Sequence, residues 1–189
     1  LVELFFRQSE KNIPKKFSIN ELAFLTNLKS KEHELPELKK PINYSWRVVD
    51  GQIRILTTYL KKIISIGDRC LLLSENRPEW LISDLSIMNA GGVTVPLFTT
   101  YSDKDYEYIL NDCKPSVCIV SNYIQFKKIE KFISSETKVI SIENFNQKIE
   151  SIESILEKNS KKETVNTIEN YNDRISRKDL ACIIYTSGT

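Results

Sequence analysis

The chain has 189 residues, 41% apolar and 28% charged, enough apolar material for a packed core and too much for a disordered polymer. Its 27 basic and 25 acidic residues leave a net charge of +2, which argues against a dedicated nucleic-acid partner. No apolar run approaches the ~20 residues that cross a bilayer.

Leu1-Val2-Glu3-Leu4 lacks a signal peptide's basic start, and the chain opens without Met, so its true start is expected to lie upstream. The region from Leu1 to about Lys40 reads as irregular. Val2, Phe5 and Phe6 could line a short helix, Ala23-Phe24-Leu25 could form a strand, and the charged run Lys29–Lys40 with Pro36 reads as a surface loop. His33, the single histidine, lies in that loop, so no His-based metal or catalytic site is expected.

From Trp46 the periodicity sharpens. Trp46, Val49, Ile53, Leu56, Leu60 and Ile63 recur at spacings of three and four, predicting a helix that Gly67 would close in a left-handed conformation. Cys70–Leu73 is a short apolar run and reads as a buried strand. Pro78 suits the first turn of a largely buried helix ending near Ala90, before Gly91-Gly92.

The alternation then repeats. Val93–Leu97 reads as a strand, and Ser102 with Asp105 as a variant capping box opening a helix with Tyr106, Ile109, Leu110 and Cys113 on one face. Lys114-Pro115 ends it. Val117–Val120 is the next strand, and Ser121 can cap a helix carrying Phe126, Ile129 and Ile133. Val139–Ile142 follows as a strand, then a helix built on Ile149, Ile152, Ile155 and Leu156. Polar residues lead as a linker into a last buried strand, Ala181–Tyr185. The four cysteines, Cys70, Cys113, Cys118 and Cys182, sit inside apolar segments without C-x-x-C spacing and read as reduced core residues.

Strands alternating with helices imply right-handed crossovers, so the fold class is α/β with a mainly parallel sheet and flanking helices. Such sheets bind ligands beyond the carboxyl ends of their strands. The segments expected there are Ser74–Arg77, Phe98–Ser102, Ser121-Asn122 and Thr186–Thr189.

The last of these carries the chemistry. Tyr185-Thr186-Ser187-Gly188-Thr189 places three hydroxyls and a glycine directly after an apolar run. Glycine lets the backbone approach an anion, while hydroxyl and main-chain N–H groups donate to its oxygens. The string is not a Walker A loop, since G-x-x-x-x-G-K-[ST] is absent. Taken alone, such a tail is an ordinary turn. Asp68, Asp112 and Glu79 read as surface or helix-end carboxylates, and Tyr185 as a strand anchor rather than a ligand contact.

In its order, the tail resembles the opening of the phosphate loop of the adenylate-forming enzymes, the AMP-binding superfamily of acyl-CoA synthetases, luciferases and peptide-synthetase adenylation domains. Gly67-Asp68-Arg69, Asn76-Arg77-Pro78-Glu79-Trp80 and Ala90-Gly91-Gly92-Val93-Thr94-Val95-Pro96-Leu97 are similar to that superfamily's segments in the same order. Tyr108–Asp112 and Asp179-Leu180-Ala181 agree as well, so the resemblance runs from about Tyr44 to Thr189. Asn76–Trp80 with Leu97-Phe98-Thr99-Thr100 is most similar to the long-chain fatty acyl-CoA synthetases.

The resemblance implies an incomplete N-terminal domain of an adenylate-forming enzyme. It divides the chain into a lead-in (1–43), an α/β core (44–157), a linker (158–178) and a final strand with the start of the phosphate loop (179–189). It implies a fatty acid–CoA ligase whose substrates are a long-chain fatty acid, ATP with Mg²⁺ and coenzyme A, in a cytoplasmic setting with peripheral membrane association left open. Thr186, Ser187, Gly188 and Thr189 carry over as nucleotide-phosphate contacts, and no catalytic residue is assigned. Because the superfamily's loop continues past the position of Thr189, the chain by itself is expected to be inactive. Two other readings stay open: a ligase of the same superfamily acting on an amino acid or aromatic acid, and a non-catalytic α/β module that binds a nucleotide or a partner.

Overall fold

The computed structural model describes residues 16–17, 44–159 and 175–186. The expectations for Val2–Phe6, Ala23–Leu25, His33 and most of the linker lie outside the described residues. Two compact units divide the chain, Leu1–Gln52 and Ile53–Thr189. In the first, strand β1 (Lys16–Phe17) pairs antiparallel with β2 (Tyr44–Ser45). Helix α1 (Trp46–Leu60) starts in the first unit and ends in the second.

The second unit is built on a five-stranded parallel sheet in the order β4-β3-β5-β6-β7. Its strands are β3 (Arg69–Leu73), β4 (Val93–Leu97), β5 (Val117–Val120), β6 (Lys138–Ser141) and β7 (Glu150–Ser151). Every pairing is parallel, with Leu71 opposite Val95 on one side and Cys118 on the other. The connecting helices are α2 (Pro78–Asn89), α3 (Asp103–Cys113), α4 (Tyr123–Ile129) and α5 (Ile152–Asn159), with a 3₁₀ turn at Glu130–Phe132. The α/β class and the parallel direction expected from the alternation are the observed architecture.

Pleating explains why the strands read as continuous apolar runs. Leu71, Leu73, Val95, Leu97, Cys118 and Val120 pack with Tyr106, Ile109, Leu110 and Cys113 of α3 and Ile129 of α4. Cys70, Leu72 and Ile119, which the pleat directs to the other face, are equally buried. There α2 lies against β3 and β4. It docks on α1 through polar contacts: Ser86 Oγ donates to the Ile53 carbonyl at 3.2 Å and Asn89 Nδ2 to Thr57 Oγ1 at 3.4 Å.

Several local expectations meet their geometry. The capping box at Ser102 and Asp105 forms, and α3 ends in a left-handed Lys114 (φ 44°), before Pro115. Pro78 occupies the first turn of α2.

Others are corrected. Helix α1 stops at Leu60, and Ile63 lies in the following turn, where its N–H donates to the Leu60 carbonyl. Gly67 does adopt positive φ (85°), but its task is different. It stands in the turn entering β3 and donates its N–H to the carbonyl of Gly91 (φ 87°) at 2.8 Å, joining the entrances of β3 and β4. Asn122, not Ser121, caps α4, because Ser121 still belongs to the sheet's hydrogen-bonding edge and donates its N–H to the Leu73 carbonyl. Ile149 precedes β7 instead of joining α5, whose apolar face is Ile152 and Ile155.

The largest correction concerns Ala181–Tyr185. A full buried strand is expected there, and the structure holds one parallel bridge, Cys182 beside Thr94. Thr94 N–H donates to the Ala181 carbonyl at 3.0 Å and Ile183 N–H to the Thr94 carbonyl at 2.9 Å. Ala181, Cys182 and Ile184 are exposed, so Cys182 is not a core residue, unlike Cys70, Cys113 and Cys118. An apolar run becomes a buried strand only where both faces are covered, and here Ile183 and Tyr185 pack on the core while Cys182 and Ile184 stay exposed.

Candidate functional site

Parallel strands end together, so the loops after β3, β4, β5 and β6 gather at one edge of the sheet, and Thr186 leaves the bridged tail at that same edge. Thr186 is exposed. The other three expected phosphate contacts, Ser187, Gly188 and Thr189, lie outside the described residues.

The loop after β3 begins with Ser74, whose Oγ donates to the Glu75 carbonyl at 2.9 Å. The Glu75 carboxylate accepts from Gln125 Nε2 of α4 at 2.7 Å. Partial desolvation would raise this carboxyl. The approach of the Ser121 hydroxyl, the hydrogen bonds from its own backbone and Gln125, and the charge of Arg77 oppose that and hold it below the ordinary carboxylate value. Ser121 is wholly buried, and its Oγ, though near enough to favour ionised Glu75, has no partner in good hydrogen-bond geometry among the described residues; nor has Gln125 Oε1. Arg77 reaches Glu79 at 2.8 Å and Glu143, in the loop after β6, at 2.6 Å.

The loop after β4 is fixed from three directions. Tyr106 Oη donates to the Phe98 carbonyl at 2.9 Å, and Lys128 Nζ to the Thr99 carbonyl at 2.6 Å. The Tyr101 ring meets Phe98 edge to face at 5.3 Å. Burial, and then the charges of Asp103 and Asp105, push the Tyr106 phenol up to about 12, so it stays a hydrogen-bond donor. Phe98 itself is 64% exposed at this edge.

The tail is held by its last apolar residue. Tyr101 Oη donates to the Tyr185 carbonyl at 3.0 Å, and Tyr185 Oη donates to Asp112 Oδ2 at 2.5 Å. Burial and the Asp112 carboxylate raise the Tyr185 phenol well above its ordinary value, consistent with a permanent donor. Asp112 is thus a partner of Tyr185 rather than an idle surface carboxylate. A carboxylate in the last turn of a helix opposes the helix dipole, and that mismatch is the signal that could have singled it out from sequence. Asp68 instead closes a turn, accepting from Ser65 N–H at 2.9 Å. Among the described residues no group of three or more His, Cys, Asp or Glu gathers as a metal-binding set.

Chemically, the described edge brings together the buried Ser121 hydroxyl, the exposed Thr186, the carboxylates of Glu75 and Glu143 and the cations of Arg77 and Lys128.

Comparison with known proteins gives this edge its context. The sequence model of the AMP-binding enzyme family matches residues 27–189, starting earlier than the segments near Tyr44 suggest. Fatty acyl-CoA synthetase A of Dictyostelium discoideum is 38% identical over 68 residues, covering 36% of this chain and 10% of its own length. A long-chain-fatty-acid–CoA ligase of Gallus gallus is 31% identical over 68 residues, covering 36% of this chain and 9% of its own length. A mycosubtilin synthase of Bacillus subtilis is 25% identical over 146 residues, 77% of this chain and 5% of its own length. Among solved structures, the coronafacic acid ligase of Pectobacterium brasiliense superposes with a TM-score of 0.70 at 20% identity, covering 97% of this chain and 33% of its own. VinN superposes with a TM-score of 0.70 at 15% identity, covering 99% of this chain and 42% of its own. The chain therefore spans a small part of these curated relatives and between a third and a half of these structural ones. With the family model covering most of its length and the parallel sheet agreeing with those folds, the chain belongs to the AMP-binding enzymes, the adenylate-forming family.

Proposed function

We propose that this chain is the N-terminal part of a fatty acid–CoA ligase that forms an acyl-adenylate from ATP and a long-chain fatty acid, then transfers the acyl group to coenzyme A. In the first step a carboxylate oxygen attacks the α-phosphorus and pyrophosphate leaves; in the second the thiol displaces AMP. Thr186, Ser187, Gly188 and Thr189 contact the nucleotide phosphates, and Mg²⁺ arrives on the phosphate oxygens it prefers. The observation that carries this reading is the exit of Thr186, first residue of the hydroxyl-rich string, at the carboxyl edge of a parallel sheet in a chain of this family. The fatty acid as substrate is supported by the Dictyostelium and Gallus relatives, each over 36% of the chain.

A second reading, adenylation of an amino acid or aromatic acid, is favoured by the longer alignment to mycosubtilin synthase and by the fold shared with an anthranilate CoA ligase. Substrate-dependent ATP–pyrophosphate exchange by the enzyme that carries this chain separates the two. Exchange stimulated by palmitate and not by amino acids or anthranilate supports the first reading, and the reverse pattern supports the second. The 189-residue chain alone is expected to give no exchange above a protein-free control.

A further inference from the structure

Tyr185 is gripped through both its backbone and its side chain by one preceding stretch of chain. Tyr101 takes its carbonyl at 3.0 Å, Asp112 takes its hydroxyl at 2.5 Å, and the Tyr108 ring meets its ring edge to face at 6.2 Å. Tyr101 is itself braced by the rings of Phe98 and Tyr106.

Burial fixes this tail only in part, through Ile183 and Tyr185, which pack half-buried against the core. Ile184 is 63% exposed, and the only strand contact described for the segment is the single bridge at Thr94. Beyond that packing and the two ladder bonds to Thr94, its position rests on the hydrogen bonds to Tyr185. One of them is accepted by Asp112 in the last turn of α3, at a helix end where the Arg69 guanidinium donates to the Cys113 carbonyl at 2.7 Å.

We propose that Tyr101 and Asp112 are positioning residues, holding Tyr185 by its carbonyl and hydroxyl and so setting where the chain leaves the sheet at Thr186, the first of the residues read as nucleotide-phosphate contacts. The proposal rests on the phosphate-contact reading of those residues. Donors to a phosphate act only at hydrogen-bond distance, so a tail displaced by about 1 Å loses most of their effect.

The test uses Asp112→Leu, Tyr185→Phe, Tyr101→Phe and Asp112→Asn. In the 189-residue chain, amide hydrogen exchange is read at Ile183, whose N–H donates to the Thr94 carbonyl, with Leu71 and Leu72 of β3 reporting whether the fold is intact. The first three variants should exchange about tenfold faster at the tail with β3 unchanged, whereas Asp112→Asn, which keeps an acceptor, should retain protection. Wild-type protection of the tail in all three overturns the proposal.

In the ligase carrying this chain, Asp112→Leu should lower kcat for ATP–pyrophosphate exchange about tenfold with little change in KM for the acid, and Asp112→Asn should restore it. An undiminished kcat beside a loosened tail overturns positioning. A wild-type enzyme without exchange activity instead overturns the phosphate-contact reading, and amide exchange then judges the grip on Tyr185 by itself.

Discussion

Arg77 and Glu143, 66 positions apart, meet at 2.6 Å and tie the loop after β3 to the loop after β6. The same guanidinium holds Glu79 at 2.8 Å, so one cation joins two loops of the carboxyl edge and the first turn of α2.

Both pairs are partly solvent-exposed, which limits their worth. Replacing Arg77 by Ala should cost about 1 kcal/mol at low salt, and the difference should shrink near 1 M NaCl, where charges are screened over roughly 3 Å. Urea midpoints of both proteins at the two salt concentrations check this. A deficit that does not change with salt would mean that Arg77 acts through the packing of its stem.

Thiol reactivity should divide the cysteines by their place in the fold. Burial pushes the Cys70 thiol up to about 12, with the Asp68 charge adding to it, and the Cys113 thiol up to about 11; Cys118 is raised by burial as well. Cys182 is exposed. At neutral pH the folded chain should therefore react rapidly with one equivalent of a thiol reagent, and with all four cysteines only in denaturant. Rapid titration of two or more would contradict the burial of β3, α3 or β5.

Most of the architecture is legible because the strands are short apolar runs bounded by breakers. Val93–Leu97 and Val117–Val120 lie between Gly92, Pro115 and polar loops, and their ends agree with the apolar runs to the residue. Boundaries fail where two neighbouring residues can do one job. Ser121 and Asn122 are both cap formers, and only the sheet register decides between them. Ala181–Tyr185 departs from its expected strand for a different reason: apolar composition shows that a segment prefers cover, but not whether a neighbour supplies it. The candidate site is legible as a string of donors after Tyr185. Its support by Tyr101 is not, and Asp112 stands out only as a carboxylate in the last turn of a helix, since nothing local names a partner 73 residues away.

Glu75 should give the edge a pH dependence. Its carboxyl sits below the ordinary value of 4.5, so the folded state binds its proton less readily than the unfolded chain. The resulting stability is fully present above pH 4.5 and is lost as pH falls through the depressed value. Between about pH 5 and 3 the wild type should lose stability more steeply than Glu75→Gln, whose side chain does not titrate there. Denaturant unfolding across that range measures the two slopes, and equal slopes would place Glu75 outside any favourable contact.

The function proposed for this edge turns on the run beginning at Thr186 meeting the nucleotide phosphates. Single-turnover formation of acyl-adenylate by the ligase carrying this chain, compared between wild type and the double variant Thr186→Ala, Ser187→Ala, tests that contact at the step where it acts. The expected rate is lower by about 10²–10³, the usual effect of removing a transition-state donor, with fatty-acid affinity nearly unchanged. An adenylation rate equal to wild type would contradict it.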